Sequence, residues 1–227
     1  MLPFDPTNML SFDLETTSAN PLEARIVTSA LVRIKGREVK KEELLADPGV
    51  EIPQEASEVH GITTEYAREH GRPHEEVLQK TVDAIRQAWS EGVSLVVYNA
   101  AYDLTVLGQL FEDFTVDGTV FDPYVVDKAM DPYRKGKRTL GAVCENYNIT
   151  LDNAHEATAD ALAAARVAWV LNKKFADKLQ GLSGEELMEK QAVWHHDSQT
   201  SLKKYLESRD RDASDVSTSW PMRSANT

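Results

Sequence analysis

Asp13 and Glu15 stand two positions apart in Ser11-Phe12-Asp13-Leu14-Glu15-Thr16-Thr17, at the end of a short apolar run. In a strand, alternation puts both carboxylates on one face, where they repel each other and desolvation adds to the cost of their charge. A divalent cation relieves such a pair, and oxygen ligands suit magnesium or manganese. Asp103 closes Asn99-Ala100-Ala101-Tyr102-Asp103, directly after the apolar run 93–98. Asp160 closes His155-Glu156-Ala157-Thr158-Ala159-Asp160. Residues five apart on one helix point about 140° from each other, so His155 meets Asp160 only from the preceding loop or the first turn. Taken alone, Asp-x-Glu decides little, since 37 acidic residues among 227 produce about six such pairs by chance. The plain counterparts are a solvated strand end, an exposed loop histidine and a solvated helix aspartate.

The elements that must position these groups follow from periodicity. Residues 9–16 read as a central strand, 25–35 as a second, and Gly36-Arg37 as a hairpin into a third over 38–45. Residues 74–89 repeat apolar side chains at helical spacing, and 93–98 form a strand buried on both faces. Asp103 then lies near the start of a helix continued by Leu104, Leu107, Leu110 and Phe111. A short strand is expected over 118–126 and a short helix over 139–147, with a loop at 148–155. The alanine-rich stretch 156–172 is the clearest helix, and 185–207 another. Thr63 or Thr64 is placed to cap a short helix.

Composition narrows the classes. Hydrophobic residues at 41% and charged residues at 27% fit a globular domain. No apolar run approaches a membrane span, and the first residues lack the basic and apolar regions of a signal peptide. The single cysteine, Cys144, excludes an internal disulfide and fits a reducing, cytoplasmic setting. A net charge of −12 argues against broad non-specific nucleic-acid binding. Arg134, Lys135, Lys137 and Arg138 form the main concentration of positive charge, either a phosphate clamp or simply a solvated loop.

With FDLETTS, NAAYD and HEATAD in that order, the chain resembles the DnaQ-like, or DEDDh, exonucleases over about residues 9–171, and VHGIT at 59–63 adds a fourth match. The last helix and tail are similar to stand-alone actinobacterial and phage members. The sequence leaves the family pattern at Ser18, where glycine is usual, and at Tyr98 and Tyr102, where histidine and phenylalanine are more frequent.

The resemblance implies an α/β, RNase H-like fold: a mixed five-stranded sheet, three antiparallel strands first and then parallel ones, flanked by helices. It implies an exonuclease domain over 1–180, a helical extension packed on it over 181–208, and a flexible tail over 209–227. Trp220-Pro221-Met222 is the one stretch of that tail suited to docking.

The implied activity is 3′→5′ hydrolysis of single-stranded or frayed DNA to 5′-mononucleotides with two divalent ions, Mg²⁺ or Mn²⁺. Asp13, Glu15, Asp103 and Asp160 would hold the metal, with His155 as general base. Leu14, Thr16, Thr17, His60, Ile62, Asn99, Tyr102 and the four basic residues are the candidate substrate contacts. Tyr102 is equally placed to be a core residue and Asn99 a helix cap. A DNA polymerase is a candidate partner, no membrane is expected, and the expected state is a monomer or weak homodimer. The alternatives are an RNA-trimming exoribonuclease and, in a different class, a non-catalytic binding module of a replication complex.

Overall fold

In β1 (Asn8–Thr16), successive side chains part to opposite sides of one sheet. Leu10, Phe12 and Leu14 join a core with Val77, Val82 and Ile85, all on α3 (His74–Ser90). Met9 packs instead with Ala164, Val167 and Leu171 of α7 (Ala157–Lys174). On that same face Ser11 Oγ donates to the Ala161 carbonyl at 2.7 Å. Asp13 and Glu15 follow Met9 and Ser11 in phase, so both carboxylates face the α7 layer. The computed structural model describes residues 1–151 and 155–223.

β2 (Ile26–Lys35) pairs antiparallel with β1, placing Asp13 opposite Ala30. The hairpin into β3 (Glu38–Asp47) turns at Gly36, whose φ of 60° suits a two-residue connection. Two short helices follow, α1 (Gln54–His60) and α2 (Thr64–His70). Thr63 caps α2 by accepting the Tyr66 N–H.

Beyond β4 (Arg72–Pro73) and α3 come β5 (Ser94–Val96), α4 (Ala100–Leu110), β6 (Val120–Phe121) and α5 (Pro123–Met130). The chain continues through α6 (Leu140–Asn146), α7, α8 (Ala176–Leu179) and α9 (Gly184–Glu207). The sheet order is β4-β3-β2-β1-β5-β6. β5 and β6 run parallel to β1, the arrangement expected from sequence.

The sheet has six strands, not five. The additional one is β4, a two-residue edge strand parallel to β3. It has no alternating pattern to reveal it, and its Pro73 is tolerated because it lies at an edge. The stretch 118–126 is also not a single strand: Asp122 caps α5 and Pro123 takes its first position, so β6 stops at Phe121.

α9 seals the other edge. Its wholly buried Gln191 donates to the Val120 carbonyl at 2.8 Å and accepts the Asp122 N–H at 2.7 Å. The described part of the expected tail, 209–223, does not hang free. Ser217 O lies 3.3 Å from His195 Nε2, and Trp220 and Met222 pack on the core under α4. Residues 224–227, and residues 152–154 of the expected loop, lie outside the described residues. No helix among the described residues is long and apolar enough to cross a membrane.

Candidate metal centre and active site

Four carboxylates converge beyond the C-terminal ends of β1 and β5. Asp13 and Glu15 reach it from β1, half-buried. Asp103 comes from the first turn of α4, where it is only 4% exposed and its Oδ1 accepts the Leu14 N–H at 3.1 Å. Asp160 comes from the first turn of α7, and its Oδ2 accepts the His155 N–H at 3.2 Å. His155 sits in the turn before α7 with φ 72°, so it shares the site from outside the helix, as its spacing required. One ligand atom each from Glu15, His155 and Asp160 lie within 4.8 Å of one another.

The electrostatics are those of crowded, under-neutralised acids. Burial, then Asp103, Glu15 and Asp160, push the Asp13 carboxyl well above the usual carboxylate range. Burial and the charges of Asp160 and Glu43 push Glu15 up to about 7. Asp103 is pushed up to about 8, mainly by burial. Asp160 is raised by burial and partly relieved by the His155 N–H. Among the described residues, no lysine or arginine forms an ion pair with any of the four. Asp160 Oδ1 is buried with no hydrogen-bond partner. An orphaned carboxylate oxygen beside three further desolvated carboxylates fits a hard divalent cation.

These residues line a cleft of about 600 Å³ that also takes in Tyr98, Asn99, Tyr124, Lys137, Arg138, Thr139 and Leu140. A second cleft, of about 590 Å³, lies across Leu14, Glu15 and Tyr102, bounded by Thr16, Thr17, Ser18 and His60. His60 Nδ1 accepts the Ile62 N–H at 3.2 Å, and its Nε2 is buried without a partner. Ile62 lies apart from both clefts, packed against Val27, Ile52 and Ala67. Thr17 Oγ1 accepts the Arg25 N–H at 3.0 Å, tying the end of β1 to the start of β2.

The three departures from the family pattern are internally bonded. The Tyr102 hydroxyl binds Thr16 Oγ1 and the Ser18 carbonyl, and burial raises its pKa to about 12. Tyr98 donates to the Arg138 carbonyl at 2.6 Å.

Two of the four basic residues have internal work that the sequence did not reveal. Arg134 and Arg138, with side chains 13% and 12% exposed, both pair with wholly buried Asp127. Lys135 and Lys137 are exposed, and Lys137 shares the carboxylate cleft. Asn99 occupies the N-cap of α4 at φ 64°, yet its side chain makes no cap bond. That cap comes from Asp122, which accepts the N–H groups of Asn99 and Ala100, each at 2.9 Å. α7 is capped from a distance as well: Glu43 of β3 accepts from Thr158 N at 3.3 Å and Thr158 Oγ1 at 2.5 Å. Asp122 carried a local signal, an Asp-Pro pair at a helix start; Glu43 carried none.

A model of the exonuclease family designated RNase T matches residues 10–168. The PolC-type DNA polymerase III of Listeria welshimeri is 29% identical over 186 residues, which are 77% of this chain and 12% of that protein. Its counterpart in Clostridium perfringens is 28% identical over 205 residues, 88% of this chain and again 12% of the relative. The chain thus spans only a small part of the length of these relatives. Among solved structures, the zinc-bound complex of Escherichia coli exonuclease I with single-stranded DNA superposes with a TM-score of 0.61 at 21% identity, covering 76% of this chain and 42% of that one. Its complex with a dA16 oligonucleotide gives 0.62 at 20%, covering 75% and 42%. At such identity the likeness shows the fold, the mixed α/β sheet flanked by helices.

Proposed function

Because the chain belongs to the exonuclease family, as an enzyme of its DnaQ-like branch, we propose that it hydrolyses single-stranded or frayed DNA from the 3′ end and releases 5′-mononucleotides. The observation that carries this reading is the convergence of Asp13, Glu15, Asp103 and Asp160 with no lysine or arginine among the described residues paired to them. Asp13, Glu15, Asp103 and Asp160 would together hold two ions, Mg²⁺ or Mn²⁺, Asp13 serving both, Glu15 and Asp160 one, and Asp103 the other. Two such ions, when bound, stabilise the attacking and leaving oxygens of an in-line phosphodiester displacement.

The chain's own groups supply the rest. His155, exposed beside Glu15 and Asp160, takes the proton of the attacking water. The bond from its backbone N–H to Asp160 sets the turn that presents the ring. Tyr102 fixes Thr16 and the Ser18 carbonyl at the end of β1, which shapes the cleft for the terminal nucleotide. Lys137, on the rim of the carboxylate cleft, meets a substrate phosphate. The likeness to a segment of PolC-type polymerases supports action on the 3′ ends that a DNA polymerase leaves.

Cleavage of end-labelled single-stranded DNA, duplex DNA and RNA of matched sequence, with Mg²⁺ and with Mn²⁺, tests the reading. The expected result is stepwise shortening of single-stranded DNA from its 3′ end; a ladder growing from the 5′ end, or cleavage of RNA alone, overturns it. His155→Ala is expected to lower kcat by about 10²–10⁴ as a lost general base, with Mn²⁺ affinity retained. Loss of Mn²⁺ binding instead would make His155 a ligand.

A further inference from the structure

The C-terminal segment lies beyond the residues matched by the family model, yet it runs along α4, the helix that carries Asp103. Arg223 N donates to Thr105 Oγ1 at 2.7 Å. Met222 lies over Gly108, where an added Cβ would come within 2.2 Å of its terminal methyl. Glycine is a poor helix former, so this one gives up helix propensity where the segment passes closely. The third contact is at the start of the helix. Trp220 Nε1 donates to Asp122 Oδ2 at 3.1 Å.

Asp122 is 1% exposed and serves two helices at once. Its Oδ1 accepts the N–H groups of Asn99, Tyr124 and Val125, and its Oδ2 accepts those of Ala100 and Trp220. α4 has no cap of its own, because the Asn99 side chain does not close on it. The position of its first turn therefore depends on where the Asp122 carboxylate is held. Asp103 sits in that turn and spans to the Leu14 N–H of β1.

We propose that the C-terminal segment is a working part of the site, and that Trp220 is a positioning residue which keeps Asp103 in register by holding Asp122 under the start of α4. This rests on the metal-binding reading of Asp103 given above. Replacing a group that orients a metal ligand from behind typically lowers metal affinity about 10- to 100-fold.

The test uses the full chain carrying Trp220→Phe, which retains an aromatic ring and removes the N–H. Two quantities are read under native conditions: amide hydrogen exchange at Asn99 and Ala100 in the metal-free protein, and Mn²⁺ affinity by calorimetry. The expected result is faster exchange at both amides and Mn²⁺ binding weakened by about tenfold. In an Asp122→Asn background, Trp220→Phe should add little to either, because the two residues act through one bond.

Unchanged exchange and affinity in folded Trp220→Phe overturn the proposal. So does faster exchange with unchanged affinity, since the segment then only braces the helix, and so do effects that simply add to those of Asp122→Asn. If the unsubstituted protein takes up no Mn²⁺, the metal reading itself fails, and amide exchange still decides whether Trp220 holds the turn.

Discussion

Two clusters of buried acid in this molecule are handled in opposite ways. Asp127, wholly buried on α5, is met by Arg134, by Arg138 at 2.6 Å and by the Tyr147 hydroxyl at 2.8 Å. A short distance away, Asp13, Glu15, Asp103 and Asp160 crowd together with no ion-pair partner among the described residues, and burial raises each of them. The chain has cations within reach, since Arg138 and Lys137 border the same cleft. Arg138 is nonetheless turned onto Asp127 and the carbonyls behind it. In one cluster the buried acid has its counter-charges within the chain, and in the other the acids have no ion-pair partner among the described residues. Internal ion pairing marks Asp127 as structural, and its lack is what supports the metal-binding role proposed for the four.

The largest effect that can break this contrast is on activity. Asp13→Ala removes the carboxylate proposed to be shared between both ions, and cleavage of labelled single-stranded DNA is expected to fall by on the order of 10³-fold or more. Retained cleavage in the presence of Mn²⁺ would remove the site from consideration.

Next comes a pair of aspartate-to-asparagine changes with opposite signs. Asp127→Asn removes the buried counter-charge that two nearly buried guanidinium groups share and should destabilise the fold by about 3 kcal/mol in urea unfolding. Asp103→Asn keeps an acceptor for the Leu14 N–H and removes a charge that Asp103 carries above about pH 8, so at such pH the metal-free protein should become more stable. If both changes shift stability in the same direction, the distinction between the two clusters fails.

A smaller effect concerns pH. Glu15 and Asp103 have folded-state values raised to about 7 and about 8. Their protonated forms suit the metal-free fold, whose stability from these groups is complete in acid and lost as pH rises through those values. His60, His74 and His195 are lowered by burial and act in the opposite direction, so the metal-induced rise in Tm is the cleaner measure. It should grow between pH 5 and pH 8, by about 2–4 °C per pH unit for each carboxylate that a cation relieves. A metal-induced rise that is flat or shrinking across that window would count against the site. The smallest expected change comes from Lys135→Ala with Lys137→Ala, which should weaken DNA binding a few-fold and flatten its salt dependence by about two counterions. Arg134 and Arg138 are excluded from that test because replacing them would disturb Asp127.

Much of the site could be read before any fold was known, and the reasons are local. Strand alternation placed Asp13 and Glu15 on one face, and a buried apolar run placed Asp103 just past a strand end. Five-residue spacing required His155 to precede its helix, as it does. The readings that changed concern partners that no local period reveals, or elements too short to show one. Arg134 and Arg138 read as a phosphate clamp or a solvated loop because a run of charge shows its sign and not its partner. Asn99 read as a substrate contact or a helix cap because it precedes a helix, while the actual cap lies 23 residues on. The two-residue strands β4 and β6 are too short to display a period.

By itself, then, the sequence determined which residues are candidates for chemistry and on which face of its own element each one lies, because a side chain's direction repeats every two residues in a strand and every 3.6 in a helix. Tertiary structure alone decided which charges are neutralised within the chain and which are left open. It alone brought Glu43, Asp122 and Trp220 behind the helices that carry Asp160 and Asp103. Those contacts join residues tens to more than a hundred positions apart, and no local periodicity encodes such a meeting.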